Sequence, residues 1–133
     1  MEETLRAVVS RLRDQGTVLA IALVGSHARG TANPQSDIDL VILVQKPSDW
    51  FANQDWISCA GQELECRIEE YGRLRSLRVH YAGGLEIEFG ITDPGWAALP
   101  PDSGTVAVVR EGFRILHDPD GLLSRLQEAV ARK

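Results

Sequence analysis

Two almost unbroken apolar runs, "VLAIALVG" at residues 18–25 and "IDLVILV" at 38–44, constrain this chain more than any other feature. Each has the length of a strand, and neither alternates with polar residues. A strand with one wet face would alternate, so both runs belong in the middle of a sheet that is covered on two sides. The remainder of a 133-residue chain must therefore supply a layer on each face. That length suffices for one hydrophobic core and is short for two, so a single domain over residues 1–133 is expected.

The flanking sequence offers the pieces. Leu5, Val8, Val9 and Leu12 recur at helical spacing and predict an amphipathic helix ending near Gly16. "SHARGTANPQS", between the two runs, has room for one short helix and a polar loop. After Pro47, Ser48 is a candidate cap for a helix carrying Trp50, Phe51 and Trp56 and ending near Gly61. "ELECRIEE", "SLRVHY" and "GLEIEFGI" read as strands. "TVAVVREG" reads as a short helix stopped at Gly112, and "FRILH" as a final strand. "DPDGLLSRLQEAV" closes the chain as a helix, with Asp118 as cap, Pro119 in the first turn, and Leu122, Leu123, Leu126 and Val130 on one face. The expected fold class is α+β: a mixed central sheet of about five strands flanked by helices, without regular βαβ units.

Parity decides the register of the hairpin "SLRVHYAGGLEIEFGI". Residues directly opposite in an antiparallel pair lie on the same face. A two-residue turn at Gly83-Gly84 sets apolar Val79 against Glu88 and mixes the faces. A three-residue loop of Ala82, Gly83 and Gly84 sets Tyr81 against Leu85 and keeps them consistent. Arg78 then stands opposite Glu88, and His80 opposite Glu86, on one polar face.

Asp37 and Asp39 begin the second apolar run, two residues apart and so on one strand face, about 6.5–7 Å from each other. Two carboxylates repel, and burial increases the cost. A hard divalent cation resolves the conflict, and carboxylate oxygens suit Mg2+ or Mn2+, which keep waters and accept substrate phosphates. Gly25-Ser26, at the end of the first run, is a candidate phosphate seat. Glycine lets the backbone approach a ligand, and a helix starting there presents N–H groups to an anion. Ser26 adds a hydroxyl and Arg29, one turn on, a charge. The plain alternative is a helix start followed by an exposed arginine. A third acid is expected beside the pair. Glu88, between Ile87 and Phe89 and deeper in its strand, is preferred, and Glu86, nearer the turn, is the other candidate.

Charge excludes some functions. A net charge of −5 and the absence of a basic stripe argue against binding duplex nucleic acid. The arginines of "RLRSLR" (Arg73, Arg75, Arg78) could serve one phosphate-bearing ligand, although a solvated hairpin accounts for Arg73 and Arg75. No apolar run approaches the roughly 18 residues that span a bilayer. "MEETLRAVVSRLRD" is acidic and amphipathic, unlike a secretory signal, so a cytoplasmic location is expected. Cys59 and Cys66 have no metal-ligand spacing and read as buried or half-buried residues. His27, His80 and His117 have no assigned role.

Gly25-Ser26, ten intervening residues and Asp37-Ile38-Asp39 resemble the signature of the nucleotidyltransferases related to DNA polymerase beta, in particular their minimal bacterial forms. Ile87-Glu88-Phe89 resembles the strand carrying that superfamily's third acid. The resemblance implies a core over about residues 17–91 and a C-terminal extension over about 92–133. It implies an enzyme that moves a nucleoside monophosphate, first AMP from ATP, to a hydroxyl on a protein or small molecule and releases pyrophosphate. Asp37, Asp39 and Glu88 would be catalytic and hold Mg2+ or Mn2+, while Gly25, Ser26 and Arg29 would bind the nucleotide's phosphates. Larger relatives carry a helical second domain, for which this chain has no room. A small helical partner protein could supply it, as in toxin–antitoxin pairs, and a non-catalytic nucleotide-binding or antitoxin-type module is the alternative reading.

Overall fold

The computed structural model describes residues 2–33, 36–71 and 74–132. Arg73, one of the three clustered arginines, lies outside the described residues. Helix α1 (Glu2–Arg13) leads into strand β1 (Val18–Val24), the one-turn helix α2 (Gly25–Arg29) and strand β2 (Ile38–Val44). Helix α3 (Pro47–Ala52) and a 3-10 turn (Asp55–Ala60) precede strands β3 (Glu63–Tyr71), β4 (Leu74–Tyr81) and β5 (Glu86–Thr92). A second 3-10 turn (Pro94–Ala97), helix α4 (Ser103–Glu111), strand β6 (Phe113–His117) and helix α5 (Leu122–Ala131) follow.

The sheet has six strands in the order β3-β4-β5-β2-β1-β6, with the "FRILH" segment as one edge. The two apolar runs are neighbours in its interior. β1 and β2 pair antiparallel, β2 and β5 parallel, and the other neighbours antiparallel, so the mixed α+β architecture stands as expected. One face packs Ile21, Leu23, Leu40, Ile42 and Phe89 against α1, α3 and the first 3-10 turn. Trp56 meets Phe89 edge-on at 5.0 Å and Trp50 at 5.0 Å, filling that layer. The opposite face buries Ala20, Ala22, Val41 and Leu43 under Trp96, α4 and α5. The small alanines let helix side chains close down on the strand, and Leu123 and Leu126 are fully buried there. Each such leucine contributes roughly 1.5–3 kcal/mol. The C-terminal segment thus forms one of the two layers that the apolar runs demand.

The β4–β5 hairpin has the register set by parity: Arg78 opposes Glu88 and His80 opposes Glu86. Tyr81 N donates to Leu85 O at 2.8 Å around the Ala82–Gly84 loop, with Gly83 and Gly84 at φ 91 and 93. Two helix boundaries differ from expectation. The helix after Pro47 stops at Ala52, because Asn53 is extended and its Oδ1 accepts from Asp55 N at 3.0 Å, so Trp56 rides on a separate turn. Pro47, not Ser48, opens that helix, and no side chain caps it. The last helix begins at Leu122, beyond a turn that holds Pro119. Asp118 still caps it from outside, accepting from Leu123 N at 3.1 Å and Ser124 N at 2.9 Å. Among the described residues, no helix is long and apolar enough to cross a membrane.

Candidate active site

Strand β1 ends at Val24 in extended conformation, and the chain turns into α2 at Gly25, whose φ is 74. A Cβ on Gly25 would lie 2.6 Å from Asp39 Oδ2. Only glycine allows this backbone to abut that carboxylate. Ser26 is half-buried at the start of the same turn. Arg29 is exposed, and its guanidinium donates to Thr31 Oγ1 at 3.3 Å and to the Glu111 carbonyl at 3.2 Å. Gly112 makes that approach of α4 to α2 feasible, since a Cβ there would meet Gly25 O at 2.9 Å.

The acids assemble on one face across three strands. Asp39 stands opposite Glu88 in the parallel β2–β5 register, and Asp37 lies two residues earlier, immediately before β2. Arg78, only 16% exposed, sits among them. Its Nη1 donates to Asp37 Oδ2 at 2.6 Å and to Glu86 Oε2 at 2.8 Å, its Nε to Glu69 Oε1 at 2.6 Å, and its Nη2 to Glu88 Oε2 at 3.2 Å. His80 Nε2 is 2.6 Å from Glu86 Oε1. One guanidinium thus joins four carboxylates, matching its fork of five N–H donors.

The charges are unevenly met. Burial first, then the neighbouring Glu88 and Asp37, push the Asp39 carboxyl up to about 7, and Arg78 only moderates this. Burial works in the same sense on Asp37, but hydrogen bonds with Glu86 and Arg78 hold it below its ordinary value. Glu86 is raised, chiefly by its hydrogen bond with Asp37 and then by burial. Glu88 Oε1 is buried and receives no hydrogen bond from the described residues.

These features bear on a divalent cation. The donors are hard carboxylate oxygens, and both the raised Asp39 and the orphaned Glu88 Oε1 register missing positive charge at one place. Mg2+ is held by one or two carboxylates together with waters and phosphates, so the Asp39–Glu88 pair fits it. Among the described residues, no three acidic, histidine or cysteine side chains form a ready-made metal cluster. Arg78 engages Asp37, Glu86 and the other oxygen of Glu88.

Glu69 is absent from the sequence reading. Period-two alternation along "ELECRIEE", continued through the β3–β4 pairing of Glu69 with Ser76, would have put it diagonal to Arg78. Of the histidines, His27 is satisfied by the Ser36 carbonyl at 3.1 Å. Cys59 is buried and Cys66 half-buried, both free thiols. The residues least visible in the sequence come from α4. Val108 and Glu111 wall a cavity of about 360 Å³ that opens beside Asp39 and Glu88. A larger cavity of about 490 Å³, between α1 and β6, shares no residue with the acidic group and is lined by Arg6, Arg13 and Arg114.

Comparison with known proteins follows the same lines. The family model described as a nucleotidyltransferase domain matches residues 3–93. Among solved structures, the chain is similar to the crystal structure of an aminoglycoside 6-adenyltransferase from Bacillus subtilis, with a TM-score of 0.53 and 11% identity. The match covers 69% of this chain and 35% of that one, so the chain spans about a third of that protein's length and the likeness concerns the fold. A comparison with curated proteins finds no match.

Proposed function

The chain belongs to the nucleotidyltransferase domain family, and we propose that it transfers a nucleoside monophosphate, AMP from ATP in the first instance, to a hydroxyl on a protein or small molecule. The observation that carries this reading is the Asp39–Glu88 pair, with Asp39 Oδ2 against the Gly25 turn and Glu88 Oε1 buried without a hydrogen bond from the described residues. In the proposed reaction the acceptor oxygen bonds to the α-phosphorus. The bond from that phosphorus to the bridging oxygen breaks, and pyrophosphate leaves with the electron pair. Glu88 accepts the hydroxyl proton, a role that needs a carboxylate with a free oxygen. Gly25 and Ser26 would seat the β- and γ-phosphates, with Arg29 assisting from the end of its turn. Asp37, Asp39 and Glu88 would hold Mg2+ or Mn2+, which when bound neutralises phosphate charge and polarises the α-phosphoryl group.

The test is transfer from α-labelled ATP, with Mg2+, to a cell lysate and to a panel of small hydroxyl compounds. Label should appear on an acceptor, and Asp39→Asn and Glu88→Gln should each reduce it by about 100-fold or more. Labelling at the unsubstituted level in both variants would refute the assignment.

Arg78 supports a second reading, since a guanidinium already neutralises part of the acidic group. The chain would then bind nucleotide, or neutralise a small helical partner as an antitoxin-type module, without turnover. Calorimetric binding of ATP with no pyrophosphate released, whatever acceptor is offered, would favour it.

A further inference from the structure

The sheet ends in two strands, β3 and β6, whose outer edges pair with no other strand among the described residues. An open edge presents a row of unpaired N–H and C=O groups, and charged side chains along it normally keep it from joining another chain. Here the two edges carry opposite charge. β3 holds Glu63, Glu65, Glu69 and Glu70 against a single cation, Arg67. Glu69 is held by Arg78, whereas Glu63, Glu65 and Glu70 are exposed. Beside β6, Arg6, Arg13 and Arg114 line the cavity of about 490 Å³, with Glu2 as its one acid. Such charges keep like edges apart and draw unlike edges together.

The apolar surfaces match as well. Leu64 and Ile68 on β3 are 67% and 46% exposed. Ile68 stands opposite buried Leu77, so it lies on the sheet face that α1 covers. Leu5 and Val9 of α1 and Leu116 of β6 form the apolar part of the groove on that same face. Strand direction decides whether the two surfaces can meet. β2 and β5 are parallel and the other neighbours antiparallel, so β3 and β6 run the same way. A second copy shifted along the sheet therefore sets its β3 parallel to β6, with the same face toward α1. Ile68 and Glu70, two residues apart and so on one face, then come under the flank of α1 beside its arginines.

We propose that copies of this chain associate head to tail, β3 of one copy adding to the β6 edge of the next and filling the groove under α1. The contact is heterologous, so a groove and a β3 edge stay open at the two ends and further copies can add. Parallel pairing is the weaker kind, which makes the association dependent on concentration. The groove shares no residue with the acidic group, so the association is independent of nucleotide transfer.

The experiment is sedimentation velocity on the whole chain over a concentration series, with circular dichroism to verify that each variant is folded. The unsubstituted protein should sediment faster as concentration rises. High salt screens exposed charges and should raise the concentration required by roughly tenfold. Ile68→Lys blocks the β3 edge and Arg13→Glu the groove; both positions are exposed, and each variant alone should stay monomeric. Mixing the two joins an intact groove to an intact β3 edge. The mixture should give a species of two copies and nothing larger, because both of its outer ends are blocked. A parent that is monomeric at every concentration would overturn the proposal. So would Arg13→Glu that still associates while Ile68→Lys does not, since β3 edges would then be joining each other. A mixture no larger than its separate components would overturn it too.

Discussion

Asp39 and Glu88 face each other across the parallel β2–β5 pair, and Arg78 donates a hydrogen bond to Glu88. Two carboxylates held side by side by main-chain register are a cost to the folded protein unless a proton or a cation intervenes. Asp39 answers with a proton, its carboxyl raised from 3.8 to about 7 first by burial and then by Glu88.

The first prediction is a pH dependence of stability without metal. Between pH values of about 4 and 7 the folded state holds a proton on Asp39 that the unfolded chain has released, so stability falls as pH rises through that window. The raised Glu86 acts in the same direction, while the lowered Asp37 acts only below its ordinary value of 3.8. The thermal midpoint, measured with a chelator present, should be higher at pH 5 than at pH 8. Asp39→Asn should flatten the difference and melt higher than the unsubstituted protein at pH 8. Equal midpoints at the two pH values would remove the basis of this account.

Arg78 is the second case. Replacing it with Gln leaves four carboxylates without their common donor. Asp37 and Glu69 are 35% and 29% exposed, so solvent softens a loss that deep burial would make larger. We expect Arg78→Gln to cost about 2–3 kcal/mol in urea unfolding. Mg2+ should recover more of that stability in the variant than it adds to the unsubstituted protein. A variant as stable as the parent would show that the ion pairs are inconsequential.

Gly25→Ala tests the turn. The residue adopts φ 74, and its new Cβ would collide with Asp39 Oδ2. Left-handed backbone alone costs a residue with a Cβ about 1–2 kcal/mol. Nucleotide transfer should fall further than the stability loss explains, because the displaced group is the Asp39 carboxylate. Unchanged transfer in a folded variant would separate the turn from the chemistry.

Leu123→Ala tests whether the C-terminal segment is integral. Leu123 is fully buried against the second sheet face, so its truncation should cost about 2–5 kcal/mol. Urea unfolding should remain a single transition. A cost under about 1 kcal/mol, below the range for buried leucines, would mean that the segment is an appendage.

Much of the architecture was legible because its determinants are local. The two unbroken apolar runs demanded a sheet covered on both faces, and α1, α3, α4 and α5 supply the layers. The hairpin register followed from parity and loop length, as the Arg78–Glu88 and His80–Glu86 pairings show. Helix limits were less legible. Asn53 ended one helix early, and Asp118 capped another across an intervening turn, both through short-range side-chain bonds that periodicity does not encode.

Sequence alone therefore determined which side chains share a strand face, since alternation and turn chemistry act over a few residues. Only the tertiary structure decided which of those faces meet. The pairing of Asp39 with Glu88, the reach of Arg78 to Glu69, and the placing of Glu111 beside the acids all depend on how the sheet and its second layer pack together. Packing is a property of the whole core, whose filling selects one arrangement among many that the local pattern permits.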